Sequence, residues 1–153
     1  MAWELNLGAD LAMRASANVS ALSYTGNPPV YSSGGIAQYT AVTQDTSTKL
    51  PMDVIAATST SLPIYGILQN RSIPQSGPGA IGPGESAQVR WLGVTKLMAG
   101  SALDPGTLLM NDGSGRGILA TTGLRTFGLN LSAATAAGDE VSLLLVPLNT
   151  LAP

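Results

Sequence analysis

The stretch Ser86-Ala87-Gln88-Val89-Arg90-Trp91 sets Ala87, Val89 and Trp91 at alternate positions, with Ser86, Gln88 and Arg90 between them. Successive side chains of an extended chain point to opposite faces, so this spacing makes one apolar and one polar face, the pattern of a half-buried β-strand. At Gly93 the phase becomes mixed, which predicts a β-bulge there. Downstream, Thr107 to Met110 and Gly115 to Thr121 flank Asn111-Asp112-Gly113-Ser114. This is the strongest hairpin signal in the chain, because Asn, Asp and Gly tolerate the positive φ of tight turns. Phe127 to Leu131 and Glu140 to Val146 flank a turn of small residues, Ser132 to Gly138, and Pro147 ends the last strand.

Upstream, Ile36 to Val42, Met52 to Ala57 and Ile64 to Leu68 read as short strands. They follow the turn clusters Thr25-Gly26-Asn27-Pro28-Pro29 and Ser32-Ser33-Gly34-Gly35, and Thr43 to Lys49 is a polar loop. Between Asn70 and Glu85 stand Pro74, Gly77, Pro78, Gly79, Gly82, Pro83 and Gly84. Such a stretch does not hold regular structure, because Pro removes donors and Gly adds backbone entropy. Short strands at roughly 8–12-residue spacing, punctuated by Gly and Pro and without a sizeable helix, predict an all-β fold, a barrel or a sandwich.

From Trp3 to Ala21 every odd position is apolar or Ala, while the even positions carry Glu4, Asn6, Gly8, Asp10, Arg14, Ser16, Asn18 and Ser20. That alternation outruns the modal strand of about 5–6 residues. It reads as an extended N-terminal arm over residues 1–22, bent at Gly8 and lying along a neighbouring surface, with residues 23–153 as the domain proper. The alternative is ordinary edge strands of the home domain. In the arm reading Trp3, Leu5, Leu7, Leu11 and Met13 are the contact residues, and deleting residues 2 to 16 leaves the domain folded. Trp3 reads either as an anchor in a partner's pocket, since a large rigid ring is a frequent hot spot, or as part of the core.

Composition narrows the function. The 153 residues suit one domain, and charged residues are 10% of the chain, against about 25% in typical soluble domains. Faces that become buried against partners favour such a surface, because an unpaired buried charge is costly and a buried Thr, Ser or Ala is not. The net charge is −2, and the seven Lys and Arg are scattered singly, so the concentrated positive charge that phosphates require is missing and no nucleic-acid partner is expected. The longest apolar run, Leu143 to Val146, is far shorter than the ~20 residues of a membrane span, so no membrane partner is expected. The start, Met1-Ala2-Trp3-Glu4-Leu5, lacks the basic and apolar regions of a secretion signal, which points to synthesis in a cytoplasm.

Candidate chemistry is sparse. Cysteine and histidine are absent, which removes disulfides, Cys/His zinc sites and the usual base of a serine triad. Neither Lys49 nor Lys96 stands in a Ser-x-x-Lys spacing. The close carboxylate pairs, Asp104 with Asp112 and Asp139 with Glu140, read as turn residues facing water. Asn111-Asp112-Gly113-Ser114-Gly115 opens like a calcium loop but lacks the alternating acidic ligands and the distal Glu. No Gly-Lys-Ser/Thr follows the Gly-rich Gly77 to Gly84 run, so it is not a phosphate loop. The expectation is a non-enzymatic protein without cofactor or metal.

From Ile64 onward the order of segments resembles the capsid decoration, or cement, proteins of tailed bacteriophages. The resemblance rests on Tyr65-Gly66-Ile67-Leu68-Gln69-Asn70, Gly84-Glu85-Ser86-Ala87-Gln88-Val89 and Leu92-Gly93-Val94-Thr95-Lys96-Leu97, then Ala99-Gly100-Ser101-Ala102-Leu103, Pro105-Gly106-Thr107-Leu108-Leu109 and Asp112-Gly113-Ser114-Gly115-Arg116. It finishes with Phe127-Gly128-Leu129-Asn130-Leu131 and the Ala-rich turn before Gly138-Asp139-Glu140-Val141. The N-terminal half matches only around Gln38-Tyr39-Thr40-Ala41-Val42, and the Ser76 to Gly84 insertion is longer than the family pattern. The resemblance implies a β-barrel-like or β-tulip domain that docks as a homotrimer on the outer surface of a virion and holds the major capsid protein lattice together. The competing reading is a β-domain that binds carbohydrate or a receptor, which requires exposed aromatics on one face; here Trp3, Trp91, Tyr24, Tyr31, Tyr39, Tyr65 and Phe127 are dispersed along the chain.

Overall fold

A computed structural model describes residues 9–18, 23–25, 30–33, 35–48, 50, 52–69 and 80–146. The fold is all-β. In chain order the strands are β1 (Ala9–Ala15), β2 (Ser23–Thr25), β3 (Val30–Ser33), β4 (Ile36–Ala37), β5 (Ala41–Gln44), β6 (Asp53–Ala56) and β7 (Gly66–Leu68). There follow β8 (Ala80–Ile81), β9 (Ser86–Met98), β10 (Leu108–Asn111), β11 (Gly117–Leu119), β12 (Gly128–Asn130) and β13 (Glu140–Leu145).

Strand β9, 13 residues long, organises the rest. Its first half pairs with β1 along residues 86–92 and with β7 at Val89 and Arg90. The order β1-β6-β5-β7-β9 thereby returns to β1 and closes a five-stranded barrel. Its second half, residues 93–98, pairs instead with β13, and the sheet runs on through β12 and β10 to β11. A parallel bridge between Ala99 and Gly117 ties that last strand back to the end of β9. The strand changes partners at a register slip: Asp10 pairs with Arg90 and Ala9 with Leu92, so Trp91 is the extra residue. The bulge therefore falls two residues before the expected Gly93, whose φ of 93° supplies the following turn of the backbone. An extra residue bends and twists its strand, and this bend carries β9 out of the barrel into the second sheet.

Two cores result. Met13, Ala15, Ile36, Val42, Val54, Leu68, Ile81, Ala87 and Val89 fill the barrel. Ala41, Ile67, Leu97, Leu109, Phe127, Val141, Leu143 and Leu145 belong to the second core. Ala41 and Val42 are adjacent on β5, as Ile67 and Leu68 are on β7, so these strands are buried on both faces and serve both cores. That explains why their sequences are apolar runs without alternation. The expected single strand Ile36 to Val42 is broken in two at Tyr39, which takes a φ of 61°. At this break the Tyr39 N–H donates to the Leu68 carbonyl at 2.8 Å, and its carbonyl accepts from the Met98 N–H at 3.1 Å.

The hairpin between β10 and β11 forms where expected and is fastened to the barrel. Buried Asn111 donates through Nδ2 to the carbonyls of Ala57 (2.8 Å) and Ser59 (3.1 Å), and its Oδ1 accepts the Gly115 N–H at 2.9 Å. The Gly115 carbonyl accepts from Ala41 N–H at 2.7 Å. Gly115 has a φ of 79°, and a Cβ there would overlap the Thr40 side chain, so close approach and backbone conformation both require glycine.

Residues 9–15 are a barrel strand of this domain, parallel to β6 and antiparallel to β9. Met13, expected on a partner-facing arm, is 7% exposed and sits in the barrel core. Arg14 makes a bidentate pair with buried Asp53, Nε to Oδ1 and Nη2 to Oδ2 both at 2.9 Å. Deleting residues 2 to 16 would take a strand out of the closed barrel, which corrects the expectation that such a truncation leaves the domain intact. The segment 1–8, with Trp3, Leu5 and Leu7, lies outside the described residues.

A carboxylate network locks the end of β1 to the loop after β5. Asp45 Oδ2 accepts from Ser16 Oγ and from Asn18 Nδ2 (2.8 Å), while Oδ1 accepts from Ser47 N–H (2.9 Å) and Ser47 Oγ (2.6 Å). These hydrogen bonds, the Ser16 hydroxyl first, hold the Asp45 carboxyl far below the usual aspartate range.

Two expectations follow from these packings. Met13→Ala is expected to lower the unfolding free energy by about 2–5 kcal/mol, the usual effect of emptying a core methionine site; urea denaturation measures it, and an unchanged midpoint would contradict the core position. Because the folded-state pKa of Asp45 is depressed, its stabilisation is present above the unfolded aspartate value of about 3.9 and is lost as pH falls toward the folded value. Urea midpoints recorded from neutral to strongly acid pH are therefore expected to drop below about pH 4. The Asp45→Asn variant is expected to start lower at neutral pH and show a shallower acid decline.

Candidate functional site

The apolar run Leu143 to Val146 lies on and just after β13. Alternation points Val141, Leu143 and Leu145 into the second core, where all are buried. The residues between them, Leu144 and Val146, face outward. The register aligns Leu144 with Val94 of β9 on one side and with Leu129 of β12 on the other, and Leu129 with Leu108 of β10. Val94, Leu144, Leu129 and Leu108 thus form one cross-strand aliphatic row over four strands, roughly 15 Å long at the 4.7–4.9 Å spacing of neighbouring strands. Leu92 and Val146 extend it at one end of the sheet, and Leu131, two residues beyond Leu129, flanks it at the other. Leu92, Leu108, Leu131, Leu144 and Val146 are each between 38% and 43% exposed.

Cross-strand neighbours on one sheet face touch one another, so these side chains form a connected patch. Single exposed aliphatics are ordinary, but a contiguous apolar patch marks an interaction surface. The charges beside it are an ion pair, in which Lys96 Nζ lies 3.3 Å from Glu140 Oε2 with each side chain about half exposed and the ammonium stands 5.6 Å from the centre of the Tyr39 ring, and the Arg90 guanidinium, whose Nη1 donates to the Val94 carbonyl at 3.0 Å. The patch is therefore aliphatic, with these charges at its edge. It has the composition of an interface centre, which is depleted in charge.

Of the carboxylates weighed for chemistry, Asp112 and Asp139 serve their own turns. Asp112 Oδ1 accepts from the N–H groups of Ser114 (2.7 Å) and Arg116 (3.1 Å), and its Oδ2 accepts from Arg116 Nε at 2.7 Å. With Asn111 also engaged by its own loop, the segment that opens like a calcium loop is a self-satisfied hairpin. Asp139 Oδ2 accepts from Thr135 N–H (2.8 Å), Thr135 Oγ1 (2.9 Å) and Ala136 N–H (3.1 Å). These bonds, the Thr135 N–H first, hold its carboxyl below the ordinary range. A groove lined by Asn18, Ile36, Asp45, Ser47, Ile55 and Thr58 runs beside the Asp45 network, but that carboxylate already receives four hydrogen bonds from its own chain. Among the described residues no group of three or more Asp and Glu is placed to hold a metal ion.

Of the residues expected to make contacts, Leu11 lies on β1 opposite Val89 and Met13 is in the core, while Trp3, Leu5 and Leu7 lie outside the described residues. Met13, buried in the barrel core, is no part of the aliphatic patch. The patch was not legible as such, because Leu108, Leu129 and Leu144 are neighbours only through strand register. The one local signal was the unbroken Leu143-Leu144-Leu145-Val146 run, too continuous for a strand with a solvated face.

No protein-family model matches the chain, and no curated protein matches it. Among solved structures, the crystal structure of the head fiber gp8.5 N base in bacteriophage phi29 is similar, with a TM-score of 0.53 and 16% sequence identity over 93% of this chain and 98% of that one. At this identity the likeness is one of fold, and it extends over nearly the whole of both chains.

Proposed function

We propose that this protein is a structural, non-enzymatic virion component that attaches to the outer surface of a phage capsid as an oligomer, a trimer by its sequence resemblance, and stabilises the major capsid protein lattice. The observation that carries this reading is the aliphatic face of the second sheet, a surface suited to another protein and not to a small polar ligand. The engagement of Asp45, Asp112 and Asp139 by their own loops supports it, since these carboxylates are committed to the fold. The fold likeness to a phage head fiber base and the resemblance to capsid decoration proteins point to the same setting.

A protein of this kind acts by mass action. It binds the assembled lattice in preference to the free subunit, so each occupied site deepens the assembled state. Trp3, Leu5 and Leu7 remain the proposed shell contacts. Their alternation suits addition of a strand to a sheet edge of the capsid protein, where backbone hydrogen bonds supply affinity and alternate side chains fill pockets. Met13 has no part in this, being committed to the barrel.

Deleting residues 2 to 7, which spares β1, is expected to leave thermal unfolding unchanged and to abolish co-sedimentation with capsids. Full shell occupancy by the truncated protein would refute the role of this segment. Binding of the intact protein is expected to weaken only slightly between low and high salt, because few charges are available to be screened; a steep loss would point to a charged interface instead.

A further inference from the structure

Part of β1 projects beyond the closed section of the barrel. Strands β1 and β6 overlap only at Arg14 and Ala15, while β9 accompanies β1 from Ala9 to Arg14. Successive residues of a strand turn their backbone groups to opposite neighbours. The Ala15 N–H donates toward β9, to the Glu85 carbonyl at 2.9 Å, and the Arg14 N–H donates toward β6, to the Met52 carbonyl at 3.0 Å. Asp10 and Ala12 share the phase of Arg14, so their N–H and C=O groups face the side on which β6 has not yet begun. Continuation of the parallel ladder would bring the Leu50 carbonyl to Ala12, but that carbonyl accepts the Asp53 N–H at 3.1 Å in the turn that opens β6. Among the described residues no hydrogen bond reaches the backbone of Asp10 or Ala12 from that side.

We infer that an extended strand of the capsid protein pairs with this side of β1 at Asp10 and Ala12 and sets apolar side chains against Leu50 and Met52. The inference rests on the proposed attachment to a capsid and names where the capsid protein's chain lies on this one.

Backbone donors and acceptors left open at the spacing of a strand are a template for another extended chain. Beside them runs a groove lined by Ala12, Met13, Arg14, Leu50, Met52 and Asp53, in which Leu50 is 47% and Met52 45% exposed. The charged groups of the groove, Arg14 and Asp53, are committed to each other through their bidentate pair. What the groove offers to the alternate side chains of an added strand is therefore apolar. The capsid protein is the source because residues 2 to 7, proposed above to join one of its sheet edges, run directly into β1, so a strand paired with them continues along the same line to Ala12. Between Asp10 and Arg14, β1 is already held by β9, so this half of the contact is preformed and the ordering cost falls on the incoming chain.

Ala12→Pro tests the backbone contact. It removes the N–H that the fold leaves open, and proline is tolerated where a strand's N–H faces solvent. The variant is expected to keep the wild-type thermal unfolding and to co-sediment with capsids about tenfold more weakly, the effect of a lost hydrogen bond. The double variant Leu50→Gln/Met52→Gln, which leaves the backbone untouched, is expected to unfold like the wild type and to bind capsids more weakly as well. In hydrogen exchange resolved to single amides, Ala12 is expected to exchange fast in the free protein beside protected Leu11 and Met13, which pair with Val89 and Ala87, and to become protected on the capsid. Undiminished capsid binding by both variants, or an Ala12 amide equally exposed in free and bound protein, would overturn the inference and leave the proposed function standing. A wild type that joins no capsid would sink the proposed function and this contact with it, so the two failures read differently.

Discussion

The bend of β9 at Trp91 is the constraint on which the architecture depends. A strand that stayed straight would either complete the barrel with β1 and β7 or pair with β13, because a backbone edge holds one partner at a time. The extra residue opposite the Ala9–Asp10 step, followed by the positive φ of Gly93, turns the chain so that both arrangements occur in sequence along one strand. Closing the barrel then removes its open edges, which would otherwise recruit further strands. The second sheet is anchored to that barrel through shared strands: Ala41 beside Val42, and Ile67 beside Leu68, put one residue into each core.

Polar side chains follow a consistent division of labour. Asn111 holds the β10–β11 hairpin against residues 57–59, Asp45 gathers Ser16, Asn18 and Ser47, Asp53 grips Arg14, and Asp139 closes the turn before β13. Asn111, Asp45 and Asp53 satisfy polar groups far apart in the chain, while Asp139 does so within one turn. Such groups are costly when buried without partners, and these four side chains have them. What the outside of the second sheet then offers to another molecule is aliphatic.

The all-β class, the positions of most strands and the hairpin at Asn111 to Ser114 were legible in the sequence, because they depend on local properties: a period of two, Gly and Pro between runs, and the tolerance of Asn, Asp and Gly for turn geometry. The absence of histidine and cysteine and the low content of charge were equally direct. Where local reasoning went astray, a distant contact had decided the matter. Trp3 to Ala21 alternates throughout, yet Met13 and Ala15 alternate into a barrel core supplied by residues far along the chain, and no local feature separates that outcome from an arm lying on a neighbour. Ile36 to Val42 looks like one strand, but Tyr39 is drawn out of it by hydrogen bonds to Leu68 and Met98. The aliphatic row shows the same limit, since Leu108, Leu129 and Leu144 become neighbours only when strand register aligns them. The sequence by itself determined which segments extend and which turn, because those are energies of nearby residues; only the tertiary structure decided which faces are buried, because burial depends on the strands that each segment meets.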